Sequence, residues 1–108
     1  MIRHIVMWDI AGTTPEEKRV NIDLVRRGFE ALNGVIPGLR HMELGVDASR
    51  VDYACDVVLF SDFESQAALD AYALHPAHLR IRDALAGIRI GRRQVDYEVA
   101  ESADGASA

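Results

Sequence analysis

The sequence of 108 residues predicts an α+β fold, a ferredoxin-like antiparallel sheet of four strands with helices on one face. Two observations predict this fold. Hydrophobic periodicity orders the elements as strand, helix, strand, strand, helix pair and strand. The first and third strands are apolar on both faces, whereas the second and fourth strands are apolar on one face only. The first and third strands therefore belong in the middle of the sheet, and the second and fourth at its edges.

The first strand, Ile2–Ile10, leads into the clearest local signal in the sequence. Thr14 is a candidate helix N-cap, Pro15 occupies the first helical position, and Glu17 completes a capping box. The predicted helix should bury apolar residues that recur at helical spacing, which are Ile22, Val25, Phe29 and Leu32.

This helix is predicted to end at Asn33 and Gly34, before a one-sided second strand at Leu39–Val46. A third strand is predicted over residues 53–60. Ser61, followed three residues later by a glutamate, predicts the N-cap of a second helix that runs through Leu69 and Tyr72.

The second helix must end near His75, because the residue before a proline is displaced from the helical conformation. Pro76 then begins a third, short helix that carries Leu79, Ala84 and Leu85. Glycines separate this helix from a last strand, which is predicted over residues 93–99.

The predicted domain covers residues 1–99, and the small polar residues of 100–108 predict a disordered tail. Helices can cover only one face of such a sheet. The other face would expose apolar residues of the two central strands, such as Ile5, Met7 and Phe60, in a monomer. The sequence therefore predicts a two-fold homodimer in which two copies of the sheet pack face to face as an α+β barrel.

Composition narrows the classes of partner. Twelve basic and seventeen acidic residues give a net charge of -5, which disfavours nucleic acid. The apolar runs are too short to cross a bilayer, so no membrane partner is expected. The single cysteine, Cys55, cannot form an internal disulfide, which favours a reducing cytoplasm. The sequence has no glycine-rich phosphate loop, no paired cysteines and no nucleophile elbow, so no cofactor is predicted.

The segment YALHPAHLR, residues 72–80, holds the candidate chemistry. His78 lies in the first turn of the third helix, where the helix dipole disfavours an imidazolium and leaves the neutral form, which can act as a base. Tyr72, one turn before the joint, can present its hydroxyl to the same region. Together these two groups suit the removal of an acidic carbon-bound proton and the stabilisation of the enolate that results.

A structural interpretation of the same segment stays open. His75 can satisfy backbone groups at the helix joint, and this interpretation is favoured for that residue. His78 and Tyr72 can simply fill the core. His4, alone on an apolar strand face, is more typical of a satisfied core histidine. His75 and His78 make a poor metal site, because a helix break separates them and no carboxylate lies at ligand spacing. No metal is therefore predicted.

Five stretches of the sequence, in this order, are typical of one family: IRHIVMW, IPGL with the following ELG, FES, YALHPAH and VDYE. On these motifs the chain resembles the stress-responsive A/B barrel (Dabb) family over nearly its whole length. The resemblance implies a ferredoxin-like chain whose two copies form a dimeric α+β barrel. It implies no single activity.

Plant polyketide cyclases of that family suggest roles for individual residues. Their histidine base and assisting tyrosine fall on His78 and Tyr72, and a histidine of the pocket falls on His4. The resemblance implies a cavity in each subunit that these residues line together with Trp8 and Phe29, where Phe29 stands in place of a tyrosine of the cyclases.

Two functions follow as expectations. The first is a cytoplasmic homodimer that binds a small keto or phenolic compound through His4, Trp8, Phe29 and His75. The alternative is a cofactor-free, polyketide cyclase-like enzyme in which His78 is the general base and Tyr72 donates a hydrogen bond to the enolate.

Overall fold

The computed structural model describes residues 1–100, so the predicted tail, apart from its first residue, lies outside the described residues. The elements are β1 (Ile2–Ile10), α1 (Pro15–Glu30), β2 (Leu39–Val46), β3 (Val57–Phe63), α2 (Gln66–Leu74), α3 (Pro76–Ala84) and β4 (Arg89–Glu98). The strands form one antiparallel sheet in the order β2-β3-β1-β4. This arrangement confirms the predicted ferredoxin-like fold, with β1 and β3 in the centre.

The core lies between the helices and one face of this sheet. Alternate residues of β1 and β3 point into it, and α1 contributes Val25 and Phe29, which are both fully buried. Thr14 caps α1 as predicted, because its hydroxyl accepts a hydrogen bond from the Glu17 backbone nitrogen at 3.1 Å. None of the helices in residues 1–100 combines the length and apolar character needed to cross a membrane.

Two predicted boundaries around β3 are wrong. The strand runs over Val57–Phe63 and not over residues 53–60. Ser61 is not a helix cap but a buried residue within β3, whose hydroxyl donates to the His4 carbonyl oxygen at 3.2 Å. The strand continues because Phe63 is completely buried, so the N-cap of α2 is Ser65 instead.

The ends of α1 and β4 also differ from prediction. Helix α1 ends at Glu30, and a turn that contains Gly34 at a φ of 81° follows it. Strand β4 begins at Arg89 and not at residue 93. Gly91 interrupts this strand without ending it, because its positive φ of 65° accommodates an extra residue, a β-bulge.

The bulge changes which side chains of β4 face the helices. Met7 pairs with Arg93 and Asp9 with Ile90, so two residues of β4, Gly91 and Arg92, lie opposite the single residue Trp8. Beyond the bulge, alternation resumes with the faces exchanged. Arg89 and Arg92, three positions apart, therefore both face the helices, although strict alternation would place them on opposite faces.

The face of the sheet opposite the helices has an apolar centre that is only partly covered, and the Arg3–Asp62 ion pair lies at one end of it. Met7 is 37% exposed and Val95 53% exposed, and Ile5, Val58 and Phe60 lie beside them on the central strands. This surface, called the open face below, is the one that the sequence predicts to be exposed in a single copy of the chain.

Candidate functional site

A cavity of about 230 Å³ lies between the helix-facing side of β1 and β4 and helices α2 and α3. Five of the six predicted site residues line it, namely His4, Trp8, Phe29, Tyr72 and His78. The cavity lining also contains charged groups that are not among the predicted site residues, which are Asp70, Arg82, Arg89, Arg92 and Asp96.

His78 is held in one orientation by the end of α2. Its Nδ1 lies 3.1 Å from the Ala73 carbonyl oxygen, which can only accept a hydrogen bond, so Nδ1 carries the proton. In the neutral imidazole Nε2 then bears a lone pair, and no group within residues 1–100 hydrogen-bonds to it. His78 therefore offers a candidate base to the cavity.

Burial lowers the pKa of His78 below its ordinary value, and the positive charges of Arg82, Arg89 and Arg92 lower it further. The bond to the Ala73 carbonyl acts in the opposite direction and raises it. The sequence predicts a neutral His78 from the helix dipole, whereas in the structure burial is the main cause.

Tyr72 packs directly against His78, with ring centroids 4.3 Å apart and an angle of 45° between the planes. Its ring is buried, and its hydroxyl has no hydrogen-bond partner within residues 1–100. Because no fully buried side-chain nitrogen or oxygen of these residues lacks a partner, this hydroxyl must reach accessible space, which is the cavity that Tyr72 lines. Burial raises the pKa of the phenol, so it stays protonated and can donate.

His4 is tied to β4 through a short hydrogen-bond chain. Its Nδ1 lies 2.6 Å from Asp96 Oδ1, and Asp96 Oδ2 accepts from the Gln94 amide at 3.0 Å. Gln94 in turn accepts from the Arg92 guanidinium at 2.9 Å. An ionised carboxylate can only accept, so His4 donates from Nδ1 and its Nε2 is the acceptor in the neutral ring.

The guanidinium of Arg89 lies over the rings of Trp8 and Phe29 in the cavity lining. Its guanidinium carbon lies 4.8 Å from the centroid of Trp8 and 5.4 Å from that of Phe29, and these two rings stack on each other at 5.5 Å. Its Nη2 donates to the Arg82 carbonyl oxygen at 3.1 Å. These contacts fix the guanidinium over the rings.

His75 lies outside the cavity lining. It ends α2 and caps α3, because its Nδ1 accepts a hydrogen bond from the Ala77 backbone nitrogen at 3.0 Å. This contact is the helix-joint role that the sequence favours for His75. Within residues 1–100, no three histidine, cysteine or acidic side chains are grouped as metal ligands.

Sequence reasoning misses Asp96, Arg89 and Arg92. The pairing of His4 with Asp96 follows from strand register, which a single sequence does not fix. The arginines are missed because the last strand is predicted over residues 93–99, whereas β4 begins at Arg89, so neither arginine is assigned to a face of the sheet. A glycine inside a run of strand residues is the signal that would have pointed to the bulge.

Comparison with known proteins places these features in a family. The profile of the stress responsive A/B barrel domain matches residues 2–99. No protein of curated function matches the chain.

Three solved structures are among those that resemble the chain over most of its length. A dimeric protein of unknown function with a ferredoxin-like fold from Bacteroides fragilis is 30% identical, with a TM-score of 0.80 over 91% of this chain and 95% of the other. A dimeric ferredoxin-like protein of unknown function from a Jannaschia species is 27% identical, with a TM-score of 0.74 over 91% and 98%. The hydroxynitrile lyase from Passiflora edulis, 17% identical with a TM-score of 0.77 over 93% and 94%, shares the fold.

Proposed function

The chain belongs to the stress responsive A/B barrel (Dabb) domain family, and on that premise we propose that it is a homodimer that binds a small molecule in the cavity of each subunit. The observation that carries this proposal is the pair of unused polar groups at the cavity, His78 Nε2 and the Tyr72 hydroxyl. A concavity with aromatic walls on which unpaired polar groups converge is typical of a ligand site.

The open face is the proposed dimer interface. Its central strands carry Ile5, Met7 and Phe60 where solvent would otherwise contact them. A second copy packed on this face would remove that apolar surface from water and is the arrangement with closed symmetry. The relatives from Bacteroides fragilis and the Jannaschia species are both described as dimeric, which supports the same assembly here.

The size of the cavity favours a small ligand. At about 230 Å³ it lies below the roughly 300–1,000 Å³ of sites for drug-sized ligands. Trp8 and Phe29 give part of the lining an apolar character, while Tyr72 can donate and His78 can accept a hydrogen bond. A keto or phenolic compound matches that combination of groups.

Catalysis is the second candidate, and the tautomer of His78 favours it. With Nδ1 held by Ala73, Nε2 can remove a proton from carbon next to a carbonyl group of the ligand. The electron pair of the broken C–H bond then moves to the carbonyl oxygen, and the Tyr72 hydroxyl donates a hydrogen bond to that oxyanion. The Passiflora edulis enzyme shares the fold, which is compatible with this use but does not define the reaction.

A thermal-shift screen of the purified protein against small β-keto compounds and phenols tests the binding function. We expect at least one compound to raise the melting temperature of the wild type, and the increase to shrink in His78→Ala and Tyr72→Phe. His41→Ala, which changes an exposed histidine of β2, is the matched control and should keep the full shift. A screen without any shift, or shifts that ignore both cavity substitutions, would contradict the proposal.

A further inference from the structure

Two arginines line the cavity without a carboxylate to neutralise them. Arg89 donates only to backbone carbonyl oxygens, those of Arg82 and Leu85. Arg92 donates only to the Gln94 side-chain oxygen. Neither forms an ion pair with any group in residues 1–100, in contrast to Arg82, which contacts Asp83 at 3.2 Å.

This uncompensated positive charge is built into the fold. The bulge at Gly91 turns Arg92 to the same face as Arg89, and the aromatic rings of Trp8 and Phe29 hold Arg89 in place. Two guanidinium groups are thus brought to one small cavity, where Arg89 is partly removed from water and Arg92 lies at the exposed rim. Like charges held in this way repel each other unless an anion lies between them.

We propose that the ligand is a small carboxylate whose anionic group binds to Arg89 and Arg92 while its other end contacts Tyr72 and His78. The inference rests on the proposed binding function and names the chemical class of the ligand. The guanidinium groups match a carboxylate because their parallel N–H groups fit its two oxygens. A neutral ligand of the same shape would leave both charges without a partner.

The charges of the lining favour a carboxylate over a phosphate. Arg82 is paired with Asp83, whereas Arg89 and Arg92 form no ion pair within residues 1–100, and the carboxylates of Asp70 and Asp96 line the same cavity. A carboxylate supplies a single negative charge, whereas a phosphate monoester carries about two at neutral pH. The second charge of a phosphate would face Asp70 and Asp96 without a partner.

The burial of Arg89 supplies independent support. Burial and the nearby positive charges of Arg92 and Arg82 lower the pKa of its guanidinium, which means that the empty cavity disfavours the charged form. A bound carboxylate reverses that effect. Binding of an anion is therefore coupled to relief of repulsion among the arginines.

The test uses Trp8 fluorescence, because the chain has one tryptophan and it lies under Arg89. The wild-type protein is titrated with 3-oxohexanoate and with its neutral amide, 3-oxohexanamide, and separately with inorganic phosphate. The titrations are repeated with Arg92→Gln and with Arg80→Gln, an exposed arginine of α3 outside the cavity lining.

We expect the carboxylate to bind about 10- to 100-fold more tightly than the amide, the range of one charge-assisted hydrogen bond. Arg92→Gln should remove most of this preference, and Arg80→Gln should retain it. Circular dichroism of the variants excludes a loss of fold as the cause.

The remaining outcomes of these titrations would each overturn either the carboxylate inference or the binding function. Equal binding of the carboxylate and amide, with loss of both in His78→Ala, would overturn the carboxylate inference and leave the binding function intact. Tighter binding of phosphate than of the carboxylate would overturn the ligand class. A wild type that binds neither organic probe, together with a negative compound screen, would overturn both.

Discussion

The imidazole of His78 packs against the phenol of Tyr72 with ring centroids 4.3 Å apart, and both line the cavity over β1 and β4. The two residues belong to different helices, α2 and α3, and the break at Pro76 brings them together. One member of the pair accepts a hydrogen bond through Nε2 and the other donates one through its hydroxyl. A ligand with a carbonyl group can therefore be bound by Tyr72 while His78 contacts the neighbouring carbon.

Tyr72→Phe separates binding from stability. The Tyr72 hydroxyl has no partner within residues 1–100, so its removal should change the free energy of unfolding by less than about 0.5 kcal/mol. The affinity for a keto compound found in the thermal-shift screen should fall about fivefold, the effect of one neutral hydrogen bond. Urea unfolding and calorimetric titration measure the two quantities. Tyr53→Phe, at a tyrosine that is 87% exposed, is the control and should alter neither.

The pH dependence of stability should report the environment of His78. Its pKa is lowered in the folded protein, so above the ordinary value of 6.5 both folded and unfolded states have a neutral His78 and stability is unaffected. As pH falls through 6.5, the unfolded state takes up the proton more readily and the folded protein loses stability. Urea unfolding above and below pH 6.5 should show a smaller loss for His78→Gln than for the wild type. An identical loss in both proteins would mean that His78 titrates normally.

Asp96 is expected to position His4. Asp96→Ala leaves the buried Nδ1 of His4 without its acceptor and should cost about 1–2 kcal/mol of unfolding free energy, because an unpaired buried donor is destabilising. Asp96→Asn keeps an oxygen that can accept and should cost less. Asp23→Ala, which removes a half-exposed partner of Arg27, should change stability by less than about 0.5 kcal/mol. Equal costs for all three variants would argue against the His4 contact.

Gly91 is expected to be needed for the bulge that turns Arg92 toward the cavity. A side chain at its φ of 65° is strained, although an added Cβ would meet only the Asp9 carboxylate at an ordinary 3.7 Å. Gly91→Ala should therefore cost about 1 kcal/mol or more. Gly87→Ala is the control, since a Cβ there contacts nothing within 4 Å and its φ is not positive. Chemical denaturation compares the two variants, and a Gly91→Ala protein as stable as the wild type would contradict the strained bulge.

The open face should mediate dimer formation. Met7→Glu places a charge in the middle of this face and should convert a dimer into a monomer at micromolar concentration, because a buried unpaired carboxylate is costly. Val35→Glu introduces the same charge in the turn after α1, where the valine is already 52% exposed, and should stay dimeric. Sedimentation velocity distinguishes the species. A monomeric wild type would contradict the dimer itself.

The sequence predicts the fold better than it predicts the site. Periodicity identifies all four strands, and Thr14 and Pro76 locate helix starts because capping and proline act locally. The boundary of β3 is missed because Ser61 and Ser65 are both competent caps, and the choice between them depends on burial of Phe63 in the tertiary core.

Some residues of the candidate site can be predicted from the sequence, and others depend on tertiary structure. His78 and Tyr72 are visible because they lie close together in the sequence. Asp96 is not predicted because its contact with His4 depends on the register between β1 and β4, which lie at opposite ends of the chain. Arg92 is not predicted because the last strand is predicted to begin one residue after it, and the bulge that turns Arg92 toward the helices is not visible in the periodicity.

The proposed site depends on a His78 that is neutral, carries its proton on Nδ1 and offers an unprotonated Nε2 to the cavity. The most direct measurement is the nitrogen chemical shift of both ring atoms in a long-range proton–nitrogen NMR spectrum of labelled protein, assigned by comparison with His78→Gln. We expect a protonated Nδ1 and an unprotonated Nε2 at neutral pH. A proton on Nε2, or an imidazolium with protons on both nitrogens, would contradict it.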